Sequence, residues 1–185
     1  MRSALAPQAT PAAVPEPDVC IVAPPTRYDP ASGLAPTAAR AVPSDARCPV
    51  CGMFPARAPE WAAQVIFKNG DAQFFDSPLS LFMYLRDVAR YSPGRSAGSI
   101  VAHYVTDATT PMAGGLARWI DALGAYYVHG SSAKGPMRAG NLPAFASREA
   151  AQAFAARRGG TVLAFGAIDA ALVAQLAGSG GHGHH

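Results

Sequence analysis

Ala62-Ala63-Gln64-Val65-Ile66-Phe67-Lys68-Asn69-Gly70-Asp71-Ala72-Gln73-Phe74-Phe75-Asp76-Ser77-Pro78 is the stretch on which the fold turns. Two apolar runs, 62–68 and 71–76, flank Asn69-Gly70, the pair most favoured in a two-residue hairpin turn, so the segment predicts a β-hairpin. Ser77 then has the character of an N-cap, with Pro78 at the first helical position. Leu81, Leu85 and Val88 fall on one helical face with Phe82 beside them, which predicts a helix over 78–90, closed by Tyr91-Ser92-Pro93-Gly94. Beyond it, Ser99-Ile100-Val101-Ala102-His103-Tyr104-Val105 is rich in strand formers and stops at Asp107. Residues of about 60–107 thus predict a β-β-α-β unit.

The second half repeats that order over about 118–166. Trp119-Ile120-Asp121 and Ala125-Tyr126-Tyr127-Val128-His129 predict strands, and Phe145-Ala146-Ser147 echoes Phe75-Asp76-Ser77 ahead of a helix reaching Arg158. Each half sets a Phe two residues before the capping Ser and an aromatic seven after it, Tyr84 in one and Phe154 in the other. Gly159-Gly160 stops the helix, Thr161 to Phe165 forms a last strand, and 168–176 a short final helix. The predicted fold class is α+β, with two ββαβ units in weak internal duplication forming one body over 46–177.

Outside that body the pattern changes. Residues 1–45 are rich in Pro and Ala without periodicity, which predicts a flexible leader, since such a segment buries too little apolar surface to offset the entropy of ordering it. Its island Val19-Cys20-Ile21-Val22 is a candidate edge strand. The tail 178–185 is Gly and Ser with three histidines, a tag-like or metal-collecting composition. Half of the 185 residues are hydrophobic but only 9% are aromatic, so the core is built from short elements. The net charge is +3, and the fifteen Lys and Arg are scattered, without the clustered footprint of nucleic-acid binding. No apolar run approaches the roughly 18 to 20 residues of a membrane span, and 1–30 lack the charged-then-apolar pattern of a signal peptide.

Chemistry concentrates in Arg47-Cys48-Pro49-Val50-Cys51-Gly52-Met53-Phe54. Three cysteines cannot all pair, and a C-x-x-C element reads as half of a zinc site, a thiol–disulfide redox pair, a soft-metal site or a local disulfide. A closed zinc site wants four ligands, and outside the tail only Cys20, His103 and His129 remain to complete it. A redox pair of the thioredoxin type opens a helix, which Gly52, Pro55 and Pro59 oppose. Met53 favours copper, because Cu(I) is a soft ion that prefers thiolate and thioether ligands. The plainer reading is that Met53 and Phe54 anchor the loop in the core. Met137, in Gly135-Pro136-Met137-Arg138, is a second candidate thioether and His129 a lower-ranked ligand. Met83 and Met112 are assigned to packing or exposure. Asp71, Asp76, Asp107 and Asp121 fall at strand ends and turns, where Asp is expected for backbone reasons.

These blocks resemble the NosL family of periplasmic copper-binding accessory factors for nitrous oxide reductase. The likeness runs from about Arg47 to Ile168, through R-C-P-V-C-G-M-F, P-E-W-A-A-Q-V-I-F-K-N-G, F-F-D-S, A-Y-Y-V-H-G-S, G-P-M and P-A-F-A-S-R-E-A-A-Q-A-F. It implies Cu(I) held by Cys51 and Met53 and adds weight to Met137, while Cys48, which the family's C-x-M element does not need, and His129 stay candidates on the reading of the residues alone. It also implies a periplasmic copper carrier rather than an enzyme, and the chain is expected to be monomeric or weakly dimeric. Its partner would be nitrous oxide reductase or another copper enzyme and its assembly factors, with no nucleic acid and no membrane span. The chain departs from the family pattern at Arg138, where a Gly is usual, and at His129, where an aliphatic residue is usual. Cys20, which follows Pro17-Asp18-Val19, does not carry over the lipid-anchor cysteine of many members. A thiol oxidoreductase using Cys48 and Cys51, or a structural zinc-binding interaction module, are the alternatives.

Overall fold

The protein is described by a computed structural model over residues 23–109, 118–136 and 141–178. Strand β1 (Ala63–Phe67) runs antiparallel to β2 (Ala72–Phe75), as the hairpin reading expects. The turn differs in type. Phe67 N–H donates to the Asp71 carbonyl at 2.9 Å and Gly70 N–H to the Phe67 carbonyl at 2.8 Å, which makes a three-residue loop, Lys68-Asn69-Gly70. Only Gly70 takes a left-handed φ, +85°, the arrangement of a type I turn with a following bulge. Asn69 is engaged instead by its side chain, whose Nδ2 donates to Asp71 Oδ2 at 2.7 Å. A Cβ at Gly70 would also lie 2.8 Å from Cγ of Tyr28, so conformation and space both select glycine there.

Helix α1 spans Pro78–Arg86, and Ser77 caps it by accepting from the Ser80 amide. The helix expected over 78–90 is interrupted at Asp87, whose backbone leaves helical space and whose carboxylate accepts from the Arg90 amide to start a separate turn, α2 (Val88–Tyr91). A short acidic side chain competing for backbone amides is the physical reason for the break. Strand β3 (Ile100–Thr106) pairs with β1, and β4 (Trp119–Asp121) pairs with β3, giving a four-stranded sheet of order β2-β1-β3-β4.

The second sheet has order β6-β5-β7, from β5 (Tyr126–His129), β6 (Ala144–Phe145) and β7 (Thr161–Ala164), with α3 (Arg148–Arg158) between β6 and β7. Its plan, β5-β6-α3-β7, matches β1-β2-α1-β3 in order and in antiparallel pairing. The assignment of Trp119–Asp121 to the second unit is therefore corrected. That strand extends the first sheet; the opening strand of the second unit is Tyr126–His129, and its return strand is Ala144–Phe145, which is too short to show a period. The aromatic echo is physical: Phe75 lies 4.8 Å from Tyr84, and Phe145 lies 5.0 Å from Phe154, between ring centroids.

One core joins the units. Phe82 of α1 meets Tyr127 of β5 at 5.2 Å and Phe165 at 4.9 Å. Helix α4 (Ala170–Gly178) packs on α1 and buries Val173 and Leu176 in the same cluster. The sheets also touch through a parallel bridge between Asp107 and Ala144.

The expectation of a free leader over 1–45 does not hold for its described part. Thr26 bridges to Ala72 through two hydrogen bonds of 2.8 and 2.9 Å, Tyr104 Oη donates to the Thr37 carbonyl, and Val42 and Ala46 pack on Ile66 and Phe74. Gln64, fully buried on β1, accepts from the Arg40 amide at 3.0 Å and donates to the Arg40 carbonyl at 2.9 Å. This strap covers the sheet face turned away from α1, so β1 is buried on both faces. Prolines do not prevent such docking, because an extended segment needs only a few ladder bonds to lie on a sheet. The candidate strand Val19–Val22 lies outside the described residues, and no described helix is long and apolar enough to cross a membrane.

Candidate metal centre

Between the strap and β1 the chain closes a tight loop over Cys48–Met53. Cys48 N–H donates to the Met53 carbonyl, and Gly52 N–H to the Cys48 carbonyl, each at 2.8 Å. Gly52 has φ +72°, a conformation that a side chain at this position would strain. The loop turns both cysteines inward on one side: Cys48 is fully buried, Cys51 half-buried, and both are free thiols.

The third member of the cluster comes from the hairpin. Asp76 sits between the end of β2 and the cap of α1 and is 1% exposed. Ligand atoms of Cys48, Cys51 and Asp76 all lie within 4.8 Å of one another, the sole such gathering of three His, Cys, Asp or Glu groups among the described residues. Asp76 Oδ1 accepts from Ser80 Oγ at 2.7 Å, whereas Oδ2 is buried with no hydrogen-bond partner. A buried carboxylate oxygen without a partner is costly. Beside two thiols it is a vacant donor for a cation.

The electrostatics of the thiols follow from this crowding. Burial pushes the Cys48 thiol up, and Asp76 adds to that, but hydrogen bonds from the Cys51 thiol and from the amides of Asp76 and Cys51 outweigh both and hold it below the ordinary thiol value. Cys51 goes the other way: its hydrogen bond to Cys48, its burial and the nearby negative charges of Cys48 and Asp76 keep it protonated well above the ordinary range. The two sulfurs are hydrogen-bonded to each other beside a carboxylate, so their titrations are linked, and a metal ion compensates all three donors at once.

Of the ligands read from sequence, Cys48 and Cys51 come together. Met53 closes the loop through its carbonyl, and the residue is 41% exposed. His129 ends β5 opposite Thr161 and is not a member of the cluster. Met137 lies outside the described residues, so its distance from Cys51 relative to Met83 and Met112 does too, Met112 being likewise outside. Two residues before Met137, a Cβ added at Gly135 would lie 3.2 Å from the Trp61 ring. Asp76 escaped the sequence reading because an Asp at a strand end has an ordinary explanation. A signal was available: Ser77 already supplies the cap, leaving an acidic side chain at an apolar junction with no backbone task.

A family model described as NosL matches residues 39–173. The copper-binding lipoprotein NosL of Stutzerimonas stutzeri is 35% identical over 138 residues, which span 75% of this chain and 70% of that protein. The copper-binding lipoprotein NosL of Achromobacter cycloclastes is 34% identical over 116 residues, 60% of this chain and 57% of that protein. The crystal structure of the copper chaperone NosL from Shewanella denitrificans superposes with a TM-score of 0.60 at 26% identity, over 74% of this chain and 99% of that one.

Proposed function

The chain belongs to the NosL family, and from that premise we propose that it carries Cu(I) in the periplasm and hands it by ligand exchange to nitrous oxide reductase or to the machinery that assembles a copper enzyme. The observation that carries this reading is the cluster of two free thiols and a carboxylate oxygen with no partner, placed where one thiol is half-open to solvent. Cys48 and Cys51 supply thiolate sulfur, the donor that Cu(I) prefers, and Met53 adds a neutral thioether from the exposed side. Asp76 balances charge behind them. Met137 is a candidate fourth donor, because it offers a second thioether of the kind Cu(I) prefers. A site closed on one side and open on the other allows an incoming sulfur or imidazole to displace Met53 or Cys51 stepwise, and no bond in a substrate is broken.

Geometry argues against the two alternatives. A thiol oxidoreductase attacks through an exposed thiol of lowered pKa, whereas here the lowered thiol is the fully buried Cys48 and the accessible one is raised. No α-helix opens at Cys51, since Gly52 is left-handed and only two 3-10 turns, Pro55–Arg57 and Pro59–Trp61, follow before β1. A zinc interaction module needs a closed set of four, and His103 and His129 stand on strands outside the cluster. The test is competition for Cu(I) against a chromogenic chelator, using a chain whose His182, His184 and His185 are replaced by Ala. One tightly held copper per chain is expected, and copper lost entirely to a chelator of micromolar strength sinks the reading.

A further inference from the structure

Phe54 follows Met53 directly and carries two guanidinium groups on its ring. The Arg47 carbon Cζ lies 4.2 Å and that of Arg57 4.8 Å from its centroid. Both arginines are exposed, while Phe54 is half-buried and followed by the buried Pro55, so the ring is a fixed platform. Arg47 is held further by donating Nη1 to the Gly52 carbonyl at 3.3 Å. Two like charges on one ring repel each other, yet neither has an acidic partner among the described residues. The ion pairs among the described residues are Arg95 with Asp71 and Arg118 with Asp107; Asp45 and Glu60, nearby along the chain, pair with neither Arg47 nor Arg57. Stacking occupies the flat face of a guanidinium and leaves its N–H edge to meet a carboxylate two bonds at a time.

These charges sit on the same short segment as the exposed Met53 and the half-buried Cys51. We propose that Arg47, Phe54 and Arg57 form a docking collar for an acidic surface on the protein that receives the metal, an inference that rests on the copper-carrier reading. Carboxylates of the partner take the two guanidinium edges, and the partner's own ligand is thereby aimed at Cys51 and Met53. Preformed, complementary charge acts chiefly on the rate of encounter and fades with salt.

The experiment loads the full chain with Cu(I) and follows transfer to two synthetic peptides that share one Met-x-x-Met pair and differ only in flanking Glu or Lys. At low salt the Glu peptide is expected to take copper about tenfold faster, and the advantage is expected to vanish in high salt. In Arg47→Gln/Arg57→Gln, and in part in Arg57→Gln alone, that advantage is lost while Cu(I) affinity against an uncharged chelator is unchanged. Equal rates for the two peptides on the parent chain overturn the proposal, as does an advantage that survives the double substitution. A drop in chelator-measured affinity overturns it too, because the arginines would then serve the metal itself. Anisotropy of the labelled peptides with the metal-free chain separates the two readings: a chain that binds no copper but retains the Glu peptide through Arg47 and Arg57 keeps the collar and loses the carrier.

Discussion

At Cys51 the hydrogen bond to Cys48, burial and the negative charge of Asp76 all disfavour the thiolate, so an arriving metal must displace the proton, while at Cys48 the hydrogen bonds from Cys51 and the amides ease its loss. Cys51→Ser removes the sulfur that is both accessible and central to exchange, and tight Cu(I) binding is expected to disappear. Met53→Leu discards only a neutral donor, and a smaller loss is expected. Cys48→Ser is expected to retain copper at reduced affinity, since the loop keeps Cys51 and Met53 in place. Chelator competition ranks the three; loss of binding in Cys48→Ser together with no change in Met53→Leu would replace the assignment by a two-thiolate site. Asp76→Asn keeps the shape and the bond from Ser80 but removes the charge, and a loss of about 10–100-fold in affinity is expected by analogy with groups that support metal ligands from behind. An unchanged affinity would reduce Asp76 to a packing residue.

Ser77 and Ser147 show how elements were legible and where they were not. Each accepts from the amide three residues on, at the start of α1 and α3 respectively, and each was evident from the Phe-x-Ser pattern because capping is local chemistry. Ser147→Ala is expected to lower stability by about 1 kcal/mol in urea denaturation without changing copper affinity, and an affinity change would tie the second unit to the metal in a way the cluster does not. The hairpin was legible through Gly70, and the metal loop through its cysteines. Partnership across the chain was not. Nothing in Trp119-Ile120-Asp121 states whether it pairs with Tyr126 or with Tyr104, and the register with β3 is settled only in the folded sheet. Asp76 joined Cys48 for the same reason: twenty-eight residues of separation are closed by packing, which composition does not encode.

For the molecule as a whole, the strap over 23–46 and Arg95 both tie down the first sheet and meet at Asp71. Gln64→Leu keeps volume but leaves the Arg40 amide and carbonyl without their partner, and about 2 kcal/mol of stability is expected to be lost, with faster hydrogen exchange at Arg40; unchanged exchange there would show that the strap is held elsewhere. Asp71 governs the acid limb. Burial works to raise its carboxyl, but Arg95 at 2.6 Å, Asn69 and the Tyr28 amide hold it below the ordinary value of 3.8. Because the folded value is the lower one, this stabilisation is complete above the unfolded value and is lost as pH falls through the folded one. Asp71→Asn is expected to flatten the acid limb below the ordinary carboxyl value of 3.8 in pH-dependent melting, and an identical acid limb would discard the contribution. The repeated plan of the two units has a last consequence. Where the first unit places the buried Asp76 between its Phe and its capping Ser, the second places Ala146, which is exposed. The same junction is therefore presented twice, once armed and once blank, and the molecule contains its own unreactive twin: a spectroscopic label set at 146 reports how that junction behaves when copper binds elsewhere, against which any change at 76 can be read.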